Sequence, residues 1–477
     1  MFLNLCYALA VWWLSPWIVW RAIRTGRYRR WFSARLLGPR GRFPPQDQDS
    51  STIRVWFHGV SVGEVHLLMP LVQAFRQRFP SSQIVISAST ESGLDEASRK
   101  FSDLLVIPWP WDFTWAVERV FDRIQPQLVV LAESELWPNF LQAARRRQVP
   151  VCVVNGRISP RTARRWKQWP KLIYRLLLQP VTHFAVQTEV DAQCLRQLGV
   201  PPDKVSVTGS VKYDGALQVS PEKTRELAQW LGVPWPKPHL LEAEDVRSPA
   251  GPPILWLAGS THPPEEDIVL RVFAHLRRRY PRLHLLLVPR HPDRFEAVAQ
   301  LVASTGWTWV RRSRHPQPLS SLPAIVLWDT VGELQAAWGL ADVGFVGGTL
   351  DGHRGGQSMI EPAAQGVPCI FGPHTWNFRE PARQLVERGA AILIHQAADL
   401  APHLEQLLQN PPYRRRMGQI ARDFVRSQQG AVQRTLQVLE SALATRRPTP
   451  TDRGGTRQIN PRPISPGLPC ARTLNSS

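Results

Sequence analysis

Carboxylates stand at the ends of apolar runs in this chain. In FHGVSVGEVH (residues 57–66), a β-type run from Ile53 stops at a glycine, and Glu64 precedes an apolar stretch with helical spacing. An acid in the first turn of a helix is favoured by the positive end of the helix dipole, so Glu64 could simply support its own helix. It could also be a base at the mouth of a cleft, because open α/β sheets bind ligands outside the carboxyl ends of their strands. LVVLAESELWPN (128–139) runs straight into Glu133 and Glu135. Either acid can face the cleft, or Glu135 can turn sideways into a structural ion pair. VTGSVKYD (207–214) sets Lys212 after a strand and a Gly-Ser, where it is either solvated or at a domain crevice.

Anion chemistry concentrates further along. LLLVPRHPDRF (285–295) places Pro289, Arg290 and His291 directly after a buried run, and a guanidinium there suits phosphate or carboxylate. WDTVGELQAAW (328–338) sets Val331, Gly332 and Glu333 before a helix start, so plain capping competes with ligand binding. The richest stretch is FVGGTLDGHRGGQSMIEPAAQGVPCIFGP (345–373). Its glycines allow backbone N–H groups to approach an anion at a helix start. Glu361, one turn into that helix, would repel phosphate and is better suited to accepting hydrogen bonds from ribose hydroxyls.

These residues need a scaffold of strand ends. From Ile53 short apolar runs alternate with amphipathic helices: RVWFHG, QIVISAST, LLVIPWP, QLVVLAES, VPVCVVNG, HFAVQT and VSVTGS. After a break around 215–253 a second series follows: ILWLAGS, LHLLLVPR, WTWVRR, AIVLWDT, DVGFVGG, VPCIFG and AAILIHQ. The pattern predicts two doubly wound, parallel-sheet α/β domains, Rossmann-like, with a cleft between their strand ends. The expected boundaries are 45–215 and 254–445, joined by a linker at 216–253 in which a charged helix, PEKTRELAQWLG, leads into WPKPHLLEAEDVRSPAGPP. One amphipathic helix is expected over about 412–445, and a disordered Pro/Arg/Gly/Ser-rich tail over 447–477.

The chain has 477 residues and a formal charge of +20. That balance calls for an anionic partner, and no zinc-finger spacing, RNP-like stretch or basic zipper points to nucleic acid. The five cysteines are scattered without a CxxC pair, which argues against a disulfide framework or structural zinc. Residues 2–20, FLNLCYALAVWWLSPWIVW, are uncharged and precede Arg21, Arg24, Arg27, Arg29 and Arg30. A helical segment of that length spans a bilayer core, and the arginines place its following side in the cytoplasm. The expected anchor is residues 1–22. An in-plane interfacial helix, favoured by Pro16, and a signal peptide are the alternatives. NGRISPRTARRWKQWPKLIYR (155–175) interleaves seven basic residues with Trp166 and Trp169. It reads either as a surface for phosphorylated lipid or as a solvated helix face. Asp47-Gln48-Asp49, the one Asp-x-Asp, lies in a polar spacer.

HGVSVGE, AESELWPN, GRISPRT, VTGSVKYD, GSTHPPEE, VPRHPDRF, DTVGEL, ADVGFVGG, RGGQSMIEPA and GPHTWNF follow one another in this order. Together they resemble the 3-deoxy-D-manno-octulosonic acid (Kdo) transferases of lipopolysaccharide assembly, over about residues 20–440. The resemblance implies a GT-B fold and inverting transfer of Kdo from CMP-Kdo to the lipid A precursor, without a metal, at the cytoplasmic face of the inner membrane. It implies Glu64 as general base and Glu133 and Lys212 as transition-state stabilisers. It also implies CMP contacts at Pro289 and Arg290, at Val331, Gly332 and Glu333, and at Ser358, Met359, Ile360 and Glu361. No cofactor is implied beyond the donor substrate. The chain departs from the family where members often read GGHN, with Gln357 and Ser358 in place of His-Asn. Rival readings are transfer from another nucleotide sugar such as an activated heptose, a sugar-nucleotide 2-epimerase, and a non-catalytic membrane scaffold.

Overall fold

The structure is a computed structural model. It describes Asn4, Tyr7 and residues 32–37, 52–133, 135–158, 160–216, 220–236 and 246–445. The chain divides into two units, residues 1–209 with 432–477, and residues 210–431.

The first unit is built on a seven-stranded sheet of β1 (Arg54–Gly59), β2 (Gln83–Ala88), β3 (Leu105–Pro108), β4 (Leu128–Ala132), β5 (Val151–Gly156), β6 (His183–Val186) and β7 (Val205–Val207). Their spatial order is β3-β2-β1-β4-β5-β6-β7, and every pairing is parallel. Strands covered on both faces read as continuous apolar runs, and β1 and β4 are buried along their whole lengths. The strand order reverses between β1 and β4, where His58 pairs with Leu131. Trp56 meets Phe121 and Phe140 edge to face beneath this point, and the two phenylalanines lie tilted on each other, with centroids 5.0–5.7 Å apart.

The second unit repeats the plan with β8 (Ile254–Thr261), β9 (Leu283–Pro289), β10 (Trp309–Arg311), β11 (Ile325–Leu327), β12 (Val343–Val346), β13 (Cys369–Phe371) and β14 (Ala391–Leu393). Their order is β10-β11-β9-β8-β12-β13-β14, again all parallel, and it reverses between β8 and β12. Alternate residues of β8 feed opposite faces: Leu255 and Leu257 join one core, Trp256 and Ala258 the other. All fourteen strand-like runs read from the sequence are strands.

The charged helix read at the start of the 216–253 stretch is Pro221–Leu231, and its Leu227, Ala228, Trp230 and Leu231 lie in the second unit's core, so this part of the linker packs as part of that unit. One segment differs from the expectation. The single helix expected over 412–445 is two, Pro411–Ser427 and Ala431–Ala444. Gly430 separates them at a φ of +85°, a backbone state that an L side chain resists. The last helix belongs with the first unit, where Arg78 pairs with Glu440 at 2.7 Å.

Among the described residues, no helix is long and apolar enough to cross a membrane. The expected anchor falls outside them apart from Asn4 and Tyr7. The Arg21–Arg30 cluster, the Asp47–Asp49 spacer and the tail 447–477 also fall outside. The two described N-terminal residues lie against the first unit. Tyr7 donates to Asp112 Oδ2 at 3.0 Å, and Asn4 Oδ1 accepts from the Thr114 hydroxyl and Asn139 Nδ2, both at 3.0 Å.

Candidate active site

In the first unit the two acids follow the adjacent strands at the reversal, Glu64 after β1 and Glu133 after β4. Ser61 opens the helix Val62–Arg78, and its carbonyl accepts the Glu64 and Val65 N–H groups at 3.1 and 2.9 Å. The Glu64 carboxylate folds back, and its Oε2 accepts the Val60 N–H at 2.7 Å. The acid therefore does support its own helix start, and that bond also aims it. Gly59 permits the approach, since a Cβ there would stand 3.1 Å from the Glu64 Cβ. His58, in the same motif, is wholly buried. It bonds Ser87 Oγ at 2.9 Å and stacks on Trp109 at 3.7 Å. Burial pushes its pKa down to about 3, so it is a neutral packing residue.

Glu133 sits at a φ of +57°, in the left-handed region. Its N–H donates to the Val154 carbonyl at 2.9 Å, which ties the residue to β5. For a non-glycine residue this conformation costs roughly 1 kcal/mol or more, and such strain concentrates at functional sites. Nothing in the sequence signals it, because Glu is not a turn residue. Asp112 fixes the following helix, Pro138–Arg146, by accepting the Asn139 and Phe140 N–H groups at 3.0 and 2.8 Å. Glu135 finds a local partner, the Trp137 indole N–H at 2.7 Å, and no ion pair among the described residues.

The basic segment forms two short helices, Pro160–Trp166 and Pro170–Ile173. Arg164, Arg165, Lys167, Lys171 and Arg175 are exposed. Trp169 is 67% and Leu172 53% exposed, while Trp166 packs against the core, so only one of the two tryptophans faces outward.

In the second unit the predicted residues lie at the ends of three strands, β11 and β9, which are neighbours, and β12, which β8 separates from them. Val331, Gly332 and Glu333 come after β11, Pro289 ends β9 with Arg290 directly after it, and the glycine-rich loop follows β12. Lys212 belongs to this unit, opening a short helix, Lys212–Ala216, with its Nζ 5.6 Å from the centroid of the Phe378 ring.

Glu333 is held in place by the Trp328 indole at 2.9 Å, the Thr330 hydroxyl at 2.5 Å and Arg312 at 3.2 Å. The Thr330, Trp328 and Arg312 bonds outweigh the opposing effect of burial and hold its carboxyl below the usual range. Its side chain is spent on the loop, and Val331, 71% exposed, is the part of this turn turned outward.

Glu361 lies near Arg290. Burial pushes its pKa up to about 7, against the Ser358 hydroxyl and the Arg290 charge, which favour the carboxylate. The folded protein therefore keeps a proton on Glu361 that the unfolded chain releases above 4.5. Wild type should lose stability relative to Glu361→Gln as pH rises from about 4.5 to about 7. Melting temperatures of both proteins across that window check this, and parallel curves would contradict it.

The glycine-rich loop departs from expectation. The N–H groups of Gly348, Thr349 and Leu350 do not point to a vacant anion site but are bound by the Glu265 carboxylate at 2.7–3.1 Å. The helix that follows, Ile360–Ala364, has five residues and so carries only a small dipole. The Arg290 charge acts on Glu361 from the end of β9. His262 borders the loop, 3.5 Å from Gln357 Nε2. Burial and the charges of Arg354, His291, Arg290 and Arg294 push its pKa down to about 4, so it is a neutral imidazole. Sequence reasoning missed Glu265 because its partners are more than eighty residues away. Among the described residues no cluster of His, Cys, Asp or Glu could hold a metal ion.

Two all-parallel, doubly wound sheets, each with charged groups at its strand ends, make a GT-B-like fold. The fold is shared with UDP-GlcNAc 2-epimerase from Neisseria meningitidis (TM-score 0.53, 14% identity, 82% of this chain and 100% of that one). It is shared also with a glycosyltransferase from Rickettsia africae (TM-score 0.51, 12% identity, 83% and 99%). At those identities the likeness is one of fold. Residues 30–215 match the family model described as 3-deoxy-D-manno-octulosonic-acid transferase (kdotransferase). The chain is 32% identical to the 3-deoxy-D-manno-octulosonic acid transferase of Haemophilus influenzae, over 88% of this chain and 93% of that protein. It is 33% identical to the enzyme of the same description from Bordetella pertussis, over 92% and 99%. The chain belongs to this family and is a glycosyltransferase, as the ten motifs indicated.

Proposed function

We propose that the protein transfers Kdo from CMP-Kdo to a sugar hydroxyl of the lipid A precursor, with inversion and without a metal. The observation that carries this reading is kinship along nearly the whole chain with Kdo transferases. The hydroxyl oxygen forms a bond to the anomeric carbon of Kdo as its proton passes to the Glu64 carboxylate. The bond from that carbon to the CMP phosphate oxygen breaks, and CMP leaves with the electron pair. A hydroxyl is a poor nucleophile, so a base at the forming bond lowers the barrier. Glu133 and Lys212 stabilise the charge that develops, which fits an acid held in a strained backbone state.

The second unit holds the nucleotide. Pro289 and Arg290 take the phosphate side, Val331, Gly332 and Glu333 supply a turn, and Ser358, Met359, Ile360 and Glu361 hold the ribose end. Arg290→Ala should weaken CMP binding by about 10- to 100-fold, the worth of one charge-assisted hydrogen bond. Calorimetric titration of CMP checks this, and an unchanged dissociation constant would remove the contact. Donor choice is tested by offering CMP-Kdo and a nucleotide-activated heptose to the same preparation. Transfer from the heptose donor alone would replace this reading.

The acceptor is anionic and membrane-borne, which a charge of +20 suits. Residues 2–20 anchor the chain in the inner membrane, the basic segment 157–175 meets lipid head groups, and both units lie on the cytoplasmic side. Removal of residues 1–20 should release the protein from membranes. Unchanged sedimentation with the membrane fraction would make the basic segment the main attachment.

A further inference from the structure

We infer that Glu265 is a positioning residue that sets the glycine-rich loop 347–357 for the donor nucleotide, a role that rests on the donor-binding reading above. Glu265 opens the helix Glu265–Arg277 after β8, at the reversal of the second sheet, and is 0% exposed. A buried carboxylate is costly unless its lone pairs are taken, and here both oxygens are used twice. Oε2 accepts the N–H groups of Gly348 at 2.7 Å and His262 at 3.1 Å. Oε1 accepts those of Thr349 at 2.9 Å and Leu350 at 3.1 Å. Only the His262 bond is local to its own turn. A residue serving its helix alone would have no reason to collect three donors from a loop 83–85 positions away.

The grip is transmitted along the loop. The Gly348 carbonyl accepts the Gly356 N–H at 2.8 Å, and the Gly347 carbonyl accepts the Gln357 N–H at 3.2 Å. Those two bonds deliver Ser358 and the residues to Glu361. Thr349 extends the hold to the far side, where its hydroxyl accepts the Gly372 N–H at 2.9 Å and its carbonyl the His374 N–H at 3.1 Å. Gly347 has no room for any side chain, since a Cβ would lie 2.4 Å from the Ser260 carbonyl oxygen. With the N–H groups of Gly348, Thr349 and Leu350 taken by its carboxylate, Glu265 fixes where the nucleotide-contacting residues stand without touching the nucleotide itself.

The chemistry of the side chain gives a sharp test. Glu265→Gln exchanges one doubly accepting oxygen for an NH2 group, which then faces two N–H donors. Glu265→Asp keeps both oxygens. With full-length protein in detergent, E265Q should bind CMP at least about tenfold more weakly and raise KM for CMP-Kdo by a similar factor. Its kcat at saturating donor should stay within about threefold, and E265D should recover CMP affinity to within about threefold of wild type. Hydrogen exchange of wild type, which needs no variant to fold, should show the amides of 348–350 protected at least about a hundredfold over an unstructured chain. Unprotected amides, wild-type CMP affinity in E265Q, or an E265Q defect confined to kcat and melting temperature would overturn the inference. If wild type itself binds no CMP, the donor reading falls and this role with it. CMP binding that is the same in wild type and E265Q overturns this role alone.

Discussion

Replacing Glu64 with alanine should lower Kdo transfer by about 10³-fold, in the range general bases contribute, and leave CMP affinity within about twofold. The expectation follows from position. Glu64 stands after β1, in the first unit, whereas every residue assigned to the nucleotide lies in the second. Alanine also removes the Val60 N–H contact at 2.7 Å, so part of a simple loss could be structural. Glu64→Gln separates the two effects. Its carbonyl oxygen can still accept from Val60, holding the Ser-Val-Gly turn, but the amide cannot take a proton. Both variants should therefore fail equally in transfer, while only alanine loses stability, by about 1 kcal/mol. Retained turnover in the glutamine variant would end the assignment of Glu64 as base.

Glu133 should show a trade between stability and activity. Its side chain is placed by a left-handed backbone that Glu adopts at a cost. Glu133→Gly removes the carboxylate and relieves the strain, and should raise stability by about 1 kcal/mol, a few degrees of melting temperature in a unit of this size. Glu133→Ala removes the carboxylate and keeps the strain, so it should not gain. Both should lose transfer by about 10²- to 10³-fold, the effect of deleting one electrostatic contact to a transition state. Paired melting curves and turnover measurements decide it. A glycine variant no more stable than the alanine variant would mean that the backbone is not strained, and full activity in either would remove Glu133 from the chemistry.

Strands were the most legible feature of the sequence, because a sheet covered on both faces demands uninterrupted apolar runs. RVWFHG and LVVLA announce themselves in that way, and so do the acids that follow them. The family was equally legible, since motifs such as HGVSVGE and RGGQSMIEPA carry side chains whose spacing a strand end dictates. What stayed hidden depends on long-range pairing or on backbone state. Glu265 is one of two adjacent acids in GSTHPPEE, and only the fold brings it to Gly348–Leu350. The φ of Glu133 has no marker in its residue type. The break at Gly430 was masked by amphipathic spacing that continues on both sides of it. Glu333, read as either a cap or a ligand contact, proves to anchor its own turn through Trp328, Thr330 and Arg312.

The most direct measurement is transfer itself. Detergent-solubilised full-length protein is given CMP-Kdo and tetraacylated lipid A precursor, with and without EDTA, and the products are weighed by mass spectrometry. The account predicts one or more added Kdo residues per acceptor, with a yield that EDTA does not change. An acceptor of unchanged mass from a preparation that still binds CMP would contradict it, and Gln357 and Ser358 would then be the first residues to exchange for His-Asn.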